Sequence, residues 1–180
     1  MLQLRPYGAL FLDRDGVINV NRTGHVLERQ QFEFLPGVLG ALCVLARRCP
    51  MIVVVTNQGA VGRGLLSPSG LDEIHIHMLS SVRAAGGRID AVYCCTHAPE
   101  AGCICRKPMP GLLMRAARDL HFDLGSSILV GDALSDIDAA HKAGASAAFV
   151  LSGRDCGRVC DLPANTPVYR DLADFVRCVR

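Results

Sequence analysis

Five short, largely apolar runs constrain this chain more than any other feature. They are Ala9-Leu10-Phe11-Leu12, Met51 to Val55, Ile89 to Tyr93, Ile128-Leu129-Val130 and Ala147 to Leu151. A strand with one face in water alternates apolar and polar residues, whereas a strand covered on both faces does not. Helix-like segments lie between the runs: Val38 to Arg48, Ser69 to Ala85, Gly111 to Leu120 and Asp136 to Ala143. Ser67-Pro68 supplies an N-cap and a first-turn proline for the second of these, and Gly144 a C-terminal glycine for the fourth. Alternating strand and helix predicts an α/β fold built on a doubly wound parallel sheet with right-handed crossovers. The 180 residues hold no repeat, low-complexity tract or dividing linker, so a single domain spanning 1–180 is expected.

Bulk properties narrow the function classes. A formal net charge of +2 is too small for a protein that coats nucleic acid, so an anionic ligand must be held by a few placed residues. No apolar run approaches the roughly 20 residues needed to span a bilayer, and the N-terminal MLQLRPYGALFLDRDG lacks a signal-peptide pattern. Nine cysteines form an odd set, four of them clustered, which suits metal ligation in a reducing compartment better than a disulfide scaffold. A cytoplasmic monomer with no nucleic-acid or membrane partner is expected.

In doubly wound sheets, ligands bind beyond the carboxyl ends of the strands. The polar residues found there are Asp13-Arg14-Asp15-Gly16, Thr56-Asn57-Gln58 and Gly131-Asp132. Asp-x-Asp-Gly alone can be a turn; three such strand ends in one chain point to a site. Carboxylate attack on a phosphate monoester needs a cation to offset charge repulsion. Asp13, Asp15 and Asp132 offer an oxygen-rich magnesium site, with Asp136 in support. An aspartate nucleophile that forms an aspartyl-phosphate and a second carboxylate that protonates the leaving alcohol would complete the chemistry. Thr56 offers a hydroxyl and an amide to the phosphoryl group, and Lys107 a compact positive charge. Gly62-Arg63-Gly64 gives a weaker anion-binding signal.

Cys95-Thr96-His97 and, five residues later, Cys103-Ile104-Cys105 supply three thiols and an imidazole, the ligand set of a closed structural zinc site. Such a site folds a loop that presents Arg106 and Lys107 to the ligand. The side chain of Cys94 is expected to point the other way along the strand. Cys43, Cys49, Cys156, Cys160 and Cys178 are scattered and read as packing residues. His75 and His77, two apart on a helix, are expected at the surface.

With these residues assembled, the sequence resembles the haloacid dehalogenase superfamily of phosphotransferases. Asp13-Arg14-Asp15-Gly16-Val17-Ile18-Asn19, Thr56-Asn57-Gln58, Lys107 and Gly131-Asp132 with Asp136 match its four motifs in order, through about residue 150. Within it the chain is similar to the branch of D-glycero-D-manno-heptose-1,7-bisphosphate 7-phosphatases and related histidinol-phosphatases, through DRDG-x-IN, TNQ with a later RG, and the C-x-H…C-x-C-RKP loop. The resemblance implies a Rossmann-like fold without a large cap domain. It implies Mg2+ held by Asp13, Asp132 and the backbone carbonyl of Asp15, structural Zn2+ in the cysteine loop, and a small phosphorylated sugar as substrate. Catalysis falls to Asp13, Asp15, Thr56 and Lys107. Substrate contacts are expected from Asn21, Arg22 and His25 after the first motif, from Asn57, Gln58 and Arg63, and from Arg106. Two other readings are histidinol-phosphate hydrolysis and, in a different class, a catalytically silent zinc-loop domain that binds phosphorylated ligands.

Overall fold

A computed structural model describes residues 8–179; the first seven residues, part of the N-terminal stretch read above, lie outside the described residues. Six strands form one sheet: β1 Leu10–Leu12, β2 Ile52–Asn57, β3 Ala91–Cys95, β4 Ile128–Gly131, β5 Ser146–Val150 and β6 Val168–Tyr169. All neighbouring pairs are parallel, in the order β3-β2-β1-β4-β5-β6. The helices are α1 Val38–Arg48, α2 Gly59–Gly62, α3 Pro68–Ala84, α4 Gly111–Leu120, α5 Leu134–Lys142 and α6 Leu172–Cys178.

The unalternating runs owe their character to burial on both faces. Leu10, Leu12, Ile52, Val54, Ile128 and Val130 pack with α1, α3 and α6, while Phe11, Val53, Val55, Leu129 and Phe149 pack with α4 and α5. The longer helices supply stripes at helical spacing, as Val38, Ala41, Leu42 and Leu45 do on α1. Cys94 and Cys95 fall into opposite cores, as strand alternation requires.

Several boundaries differ from the sequence expectation. β2 runs on through Thr56 and Asn57, and β3 starts at Ala91 because it pairs with β2 in that register, Val53 opposite Ala91. α5 starts at Leu134, which makes Asp136 its third residue, accepting from the Ala133 amide at 3.1 Å. β6 and α6 carried too little apolar length to register as elements; their stability comes from packing, with Tyr169 and Phe175 edge to face at 5.3 Å.

The chain builds β1, β2 and β3 outward in one direction and then returns past β1 to build β4, β5 and β6 in the other. The crevice at such a reversal lies between β1 and β4. No domain is inserted in residues 13–37 or 96–110, which form only loops and single turns beside the crevice. No helix among the described residues is long and apolar enough to cross a membrane.

Candidate active site and metal centres

Asp13 follows β1 and Asp132 follows β4, so the reversal sets them side by side. Oxygens of Asp13, Asp132 and Asp136 lie within 4.8 Å of one another. Lys107 stands among them with its side chain 1% exposed: its Nζ is 2.9 Å from Asp13 Oδ1 and 2.6 Å from Asp136 Oδ1, and it donates to the Val55 carbonyl at 2.8 Å. Burial, opposed by Lys107 and reinforced by the neighbouring carboxylates, pushes the Asp13 carboxyl up to about 8. Burial and Asp136 push Asp132 up to about 6. Burial disfavours the Lys107 ammonium, but Asp13 and Asp136 outweigh it and hold that group above its ordinary range. One ammonium thus serves three buried carboxylates. That excess of hard anionic oxygen fits a divalent cation with oxygen ligands. Asp136 has one oxygen on Lys107 and the other on the Ala133 amide, which leaves Asp13 and Asp132 the freer pair.

The carboxylate of Asp15 does not join this group. Arg14, fully buried, donates from Nη2 to both Asp15 oxygens at 3.0 and 2.9 Å, and to Gln58 Oε1 at 3.0 Å. Asn19 and Gln58 each donate to Asp15 at 2.9 Å. Burial alone would raise the Asp15 carboxyl; the Arg14 charge and these hydrogen bonds reverse that and hold it below its ordinary value. The backbone makes this turn possible through Gly16, whose φ of 86° favours glycine.

Arg14 is the residue that sequence reasoning passed over. Its Nη1 lies 3.3 Å from Nε2 of His75. His75 is therefore not a surface residue: it shares the buried stripe of α3 with Leu71, Ile74, Met78 and Val82. Burial and the Arg14 charge push its imidazole down to about 4, so it stays neutral and able to accept from Arg14. His77 packs instead on Phe32 at 5.9 Å and Phe34 at 6.3 Å.

A cleft of about 460 Å³ opens over the carboxylates. Its walls include Asn21, Arg22, His25, Thr56, Asn57, Gln58, Arg63 and Arg106. Several of these have polar groups engaged within the protein. Asn57 exchanges hydrogen bonds with the Lys107 backbone at 3.0 and 3.1 Å, and Gln58 ties Asp15 to Thr56 Oγ1, the latter at 2.8 Å. Arg63 pairs with Glu100 at 2.9 Å and Arg22 donates to the Gln31 carbonyl at 2.9 Å. Nη1 of Arg106 is buried without a hydrogen-bond partner, a cationic donor available to a ligand. Ser152, Gly153 and Arg154, from the loop after β5, also line the cleft, and no motif announced them.

Beside the cleft, Cys95, His97, Cys103 and Cys105 turn their ligand atoms inward. Cys95 Sγ lies 3.5 Å from both His97 Nδ1 and Cys103 Sγ, and Cys105 Sγ lies 3.2 Å from His97 Nδ1, 3.3 Å from Cys95 and 3.4 Å from Cys103. Five of the six edges are near-equal, as in a tetrahedron, and edges of this length put a central ion about 2.1 Å from each corner, close to zinc–nitrogen and zinc–sulfur distances. The donors fit zinc, with no corner left open.

The HAD-hydrolase-like family model matches residues 104–175. Among curated proteins, D-glycero-beta-D-manno-heptose-1,7-bisphosphate 7-phosphatase of Bordetella bronchiseptica is 37% identical over 166 residues, 91% of this chain and 93% of that protein. The D-glycero-alpha-D-manno-heptose-1,7-bisphosphate 7-phosphatase of Mycobacterium bovis is 45% identical over 159 residues, covering 84% of this chain and 83% of its own. The crystal structure of the Bordetella bronchiseptica D,D-heptose 1,7-bisphosphate phosphatase, complexed with magnesium and phosphate, superposes with a TM-score of 0.90 at 36% identity over 94% of this chain and 96% of that one. A strand order, a carboxylate group and a sequence likeness of this extent agree: the chain belongs to the haloacid dehalogenase superfamily, in the branch of the heptose-1,7-bisphosphate 7-phosphatases.

Proposed function

We propose that this chain is a magnesium-dependent phosphomonoesterase that removes the 7-phosphate of D-glycero-D-manno-heptose 1,7-bisphosphate through an aspartyl-phosphate on Asp13. The observation that carries the proposal is the buried set of Asp13, Asp132, Asp136 and Lys107 at the floor of an open cleft. Relatives of both anomeric names span most of the chain, which supports the heptose bisphosphate as substrate without choosing an anomer.

Asp13 and Asp132, with the main-chain carbonyl of Asp15, would hold Mg2+, which offsets the charge of the incoming phosphate and of Asp13. Asp13 Oδ attacks phosphorus while Lys107 and Thr56 bind the phosphoryl oxygens. Asp15 gives a proton to the departing alkoxide and then takes one from the water that hydrolyses the acyl phosphate. That role requires the Arg14 clamp to release Asp15 as substrate enters, since the clamp favours the ionised form. Asn57 keeps Lys107 in place through its backbone. Arg106, with its free Nη1, and the wall of Asn21, Arg22 and His25 suit the second phosphate and the sugar. Zn2+ in the cysteine loop would hold Arg106 and Lys107 in position, a structural duty. The same reading makes the chain a single-domain, cytoplasmic monomer.

The test is kcat/KM on both anomers of the bisphosphate and on histidinol phosphate, with magnesium. The proposal expects a preference of at least tenfold for a heptose bisphosphate; preference for histidinol phosphate replaces the substrate, and no phosphate release from any of them removes the activity.

A further inference from the structure

The loop after β5 grips the carboxylate of Asp132 from outside the strand that carries it. The Arg154 amide donates to Asp132 Oδ2 at 2.6 Å, and the Asp155 amide donates to the Asp132 carbonyl at 3.1 Å. Asp155 in turn accepts from the Leu134 amide at 3.0 Å, and Ser152 Oγ donates to the carbonyl of Gly16 at 2.7 Å. The loop therefore ties β5 to the turn of the first motif and to the start of α5. Gly153 lies so close to Asp132 that a Cβ built on it would overlap the carboxylate, and a Cβ on Gly16 would overlap the same Oδ2. Asp132, 2% exposed, is packed against both glycines.

We propose that the segment Ser152-Gly153-Arg154 is the positioning element that aims Asp132 at the divalent cation. With Oδ2 held by a main-chain amide in a short, charge-assisted hydrogen bond, the remaining oxygen is the one left for the metal, and Asp132 binds through a single atom. Ser152, Gly153 and Arg154 touch neither the phosphoryl group nor the cation in this account; they act through Asp132. The inference rests on the reading of Asp132 as a cation ligand. Outer contacts of this kind set metal affinity by about 10–100-fold in other sites.

Zinc-loaded protein is titrated with Mn2+, free ion being read by electron paramagnetic resonance, and with Mg2+ by competition. Gly153→Ala, whose φ lies outside the left-handed region, adds only the methyl group. It is expected to weaken Mn2+ binding by about 10–100-fold while the metal-free protein still folds, at a lowered melting temperature as Asp132 moves to make room. Ser152→Ala, which frees the loop from Gly16, is expected to weaken it several-fold and to recover its kcat at high Mg2+; Ser152→Thr keeps the hydroxyl and is expected to bind as wild type does. Wild-type affinity in folded Gly153→Ala overturns the inference. If that variant does not fold, equal affinities of Ser152→Ala and Ser152→Thr overturn it. Failure of the wild-type chain itself to bind Mn2+ or Mg2+ overturns the cation reading, and this inference with it, whereas binding by wild type with unaltered variants overturns the inference alone.

Discussion

Replacing Lys107 by Met removes the one ammonium among three buried carboxylates and keeps most of the side-chain volume. Breaking a buried ion pair by deleting one partner costs about 3–5 kcal/mol, because the other charge stays in place without compensation. For a chain of this length each kcal/mol is worth about 2–4 °C, so without magnesium the melting temperature should fall by roughly 6–20 °C. The loss should depend on pH. Lys107 is held above its ordinary range, so its contribution persists in wild type across neutral pH. Asp13 stands at about 8 and Asp132 at about 6 with Lys107 lowering both; without it, these two rise further and shed their charge by protonation at lower pH. The variant should thus be most destabilised at pH 8.5, approach wild type at pH 6, and regain part of its stability at pH 8.5 when Mg2+ is added. Calorimetric melts at the two pH values, with and without Mg2+, read all three effects. A loss under about 1 kcal/mol at pH 8.5, far below that expected for a broken buried pair, or one equal at both pH values, would show that Lys107 does not offset buried carboxylate charge here.

Magnesium should stabilise the wild-type chain more at pH 8 than at pH 5.5: Asp13 is raised from 3.8 to about 8, the native apoprotein holds a proton the unfolded chain has lost, and the cation displaces it. A melting-temperature increment equal at both pH values contradicts that. Asp13→Asn should keep its fold and lose at least about 10³-fold in kcat, while its magnesium-free melting temperature stays level or rises because a crowded buried charge has gone; near-normal turnover disproves the nucleophile. Cys105→Ser should abolish stoichiometric zinc by elemental analysis, lower the melting temperature and raise KM more than it lowers kcat, since Arg106 and Lys107 follow the loop. Unchanged zinc content would dissolve the tetrahedron.

Much of the frame was legible because burial writes itself plainly into composition. Five of six strands and four of six helices follow from apolar runs and their punctuation, and the polar residues at the carboxyl ends of β1, β2 and β4 mark the crevice. The sequence was silent where side-chain direction decides. Asp15 and Asp136 are both acids near strand ends, yet Arg14 draws one carboxylate away while Lys107 holds the other in. Comparing His75 with His77 hid the better comparison, with Leu71, Ile74 and Met78 at helical spacing, which marks the buried face. The grip of residues 152–155 on Asp132 depends on tertiary approach, for which a Ser-Gly-Arg-Asp segment carries no periodic signal.

In the proposed mechanism phosphorus passes onto Asp13. Acid quenching during turnover of the heptose bisphosphate, followed by borohydride reduction and peptide mass spectrometry, converts a phosphorylated aspartate to homoserine and locates it. Homoserine at position 13, absent when substrate is withheld, is the predicted result. Homoserine at Asp15 or Asp132 instead, or none while phosphate is being released in an acid-stopped burst, would contradict the account.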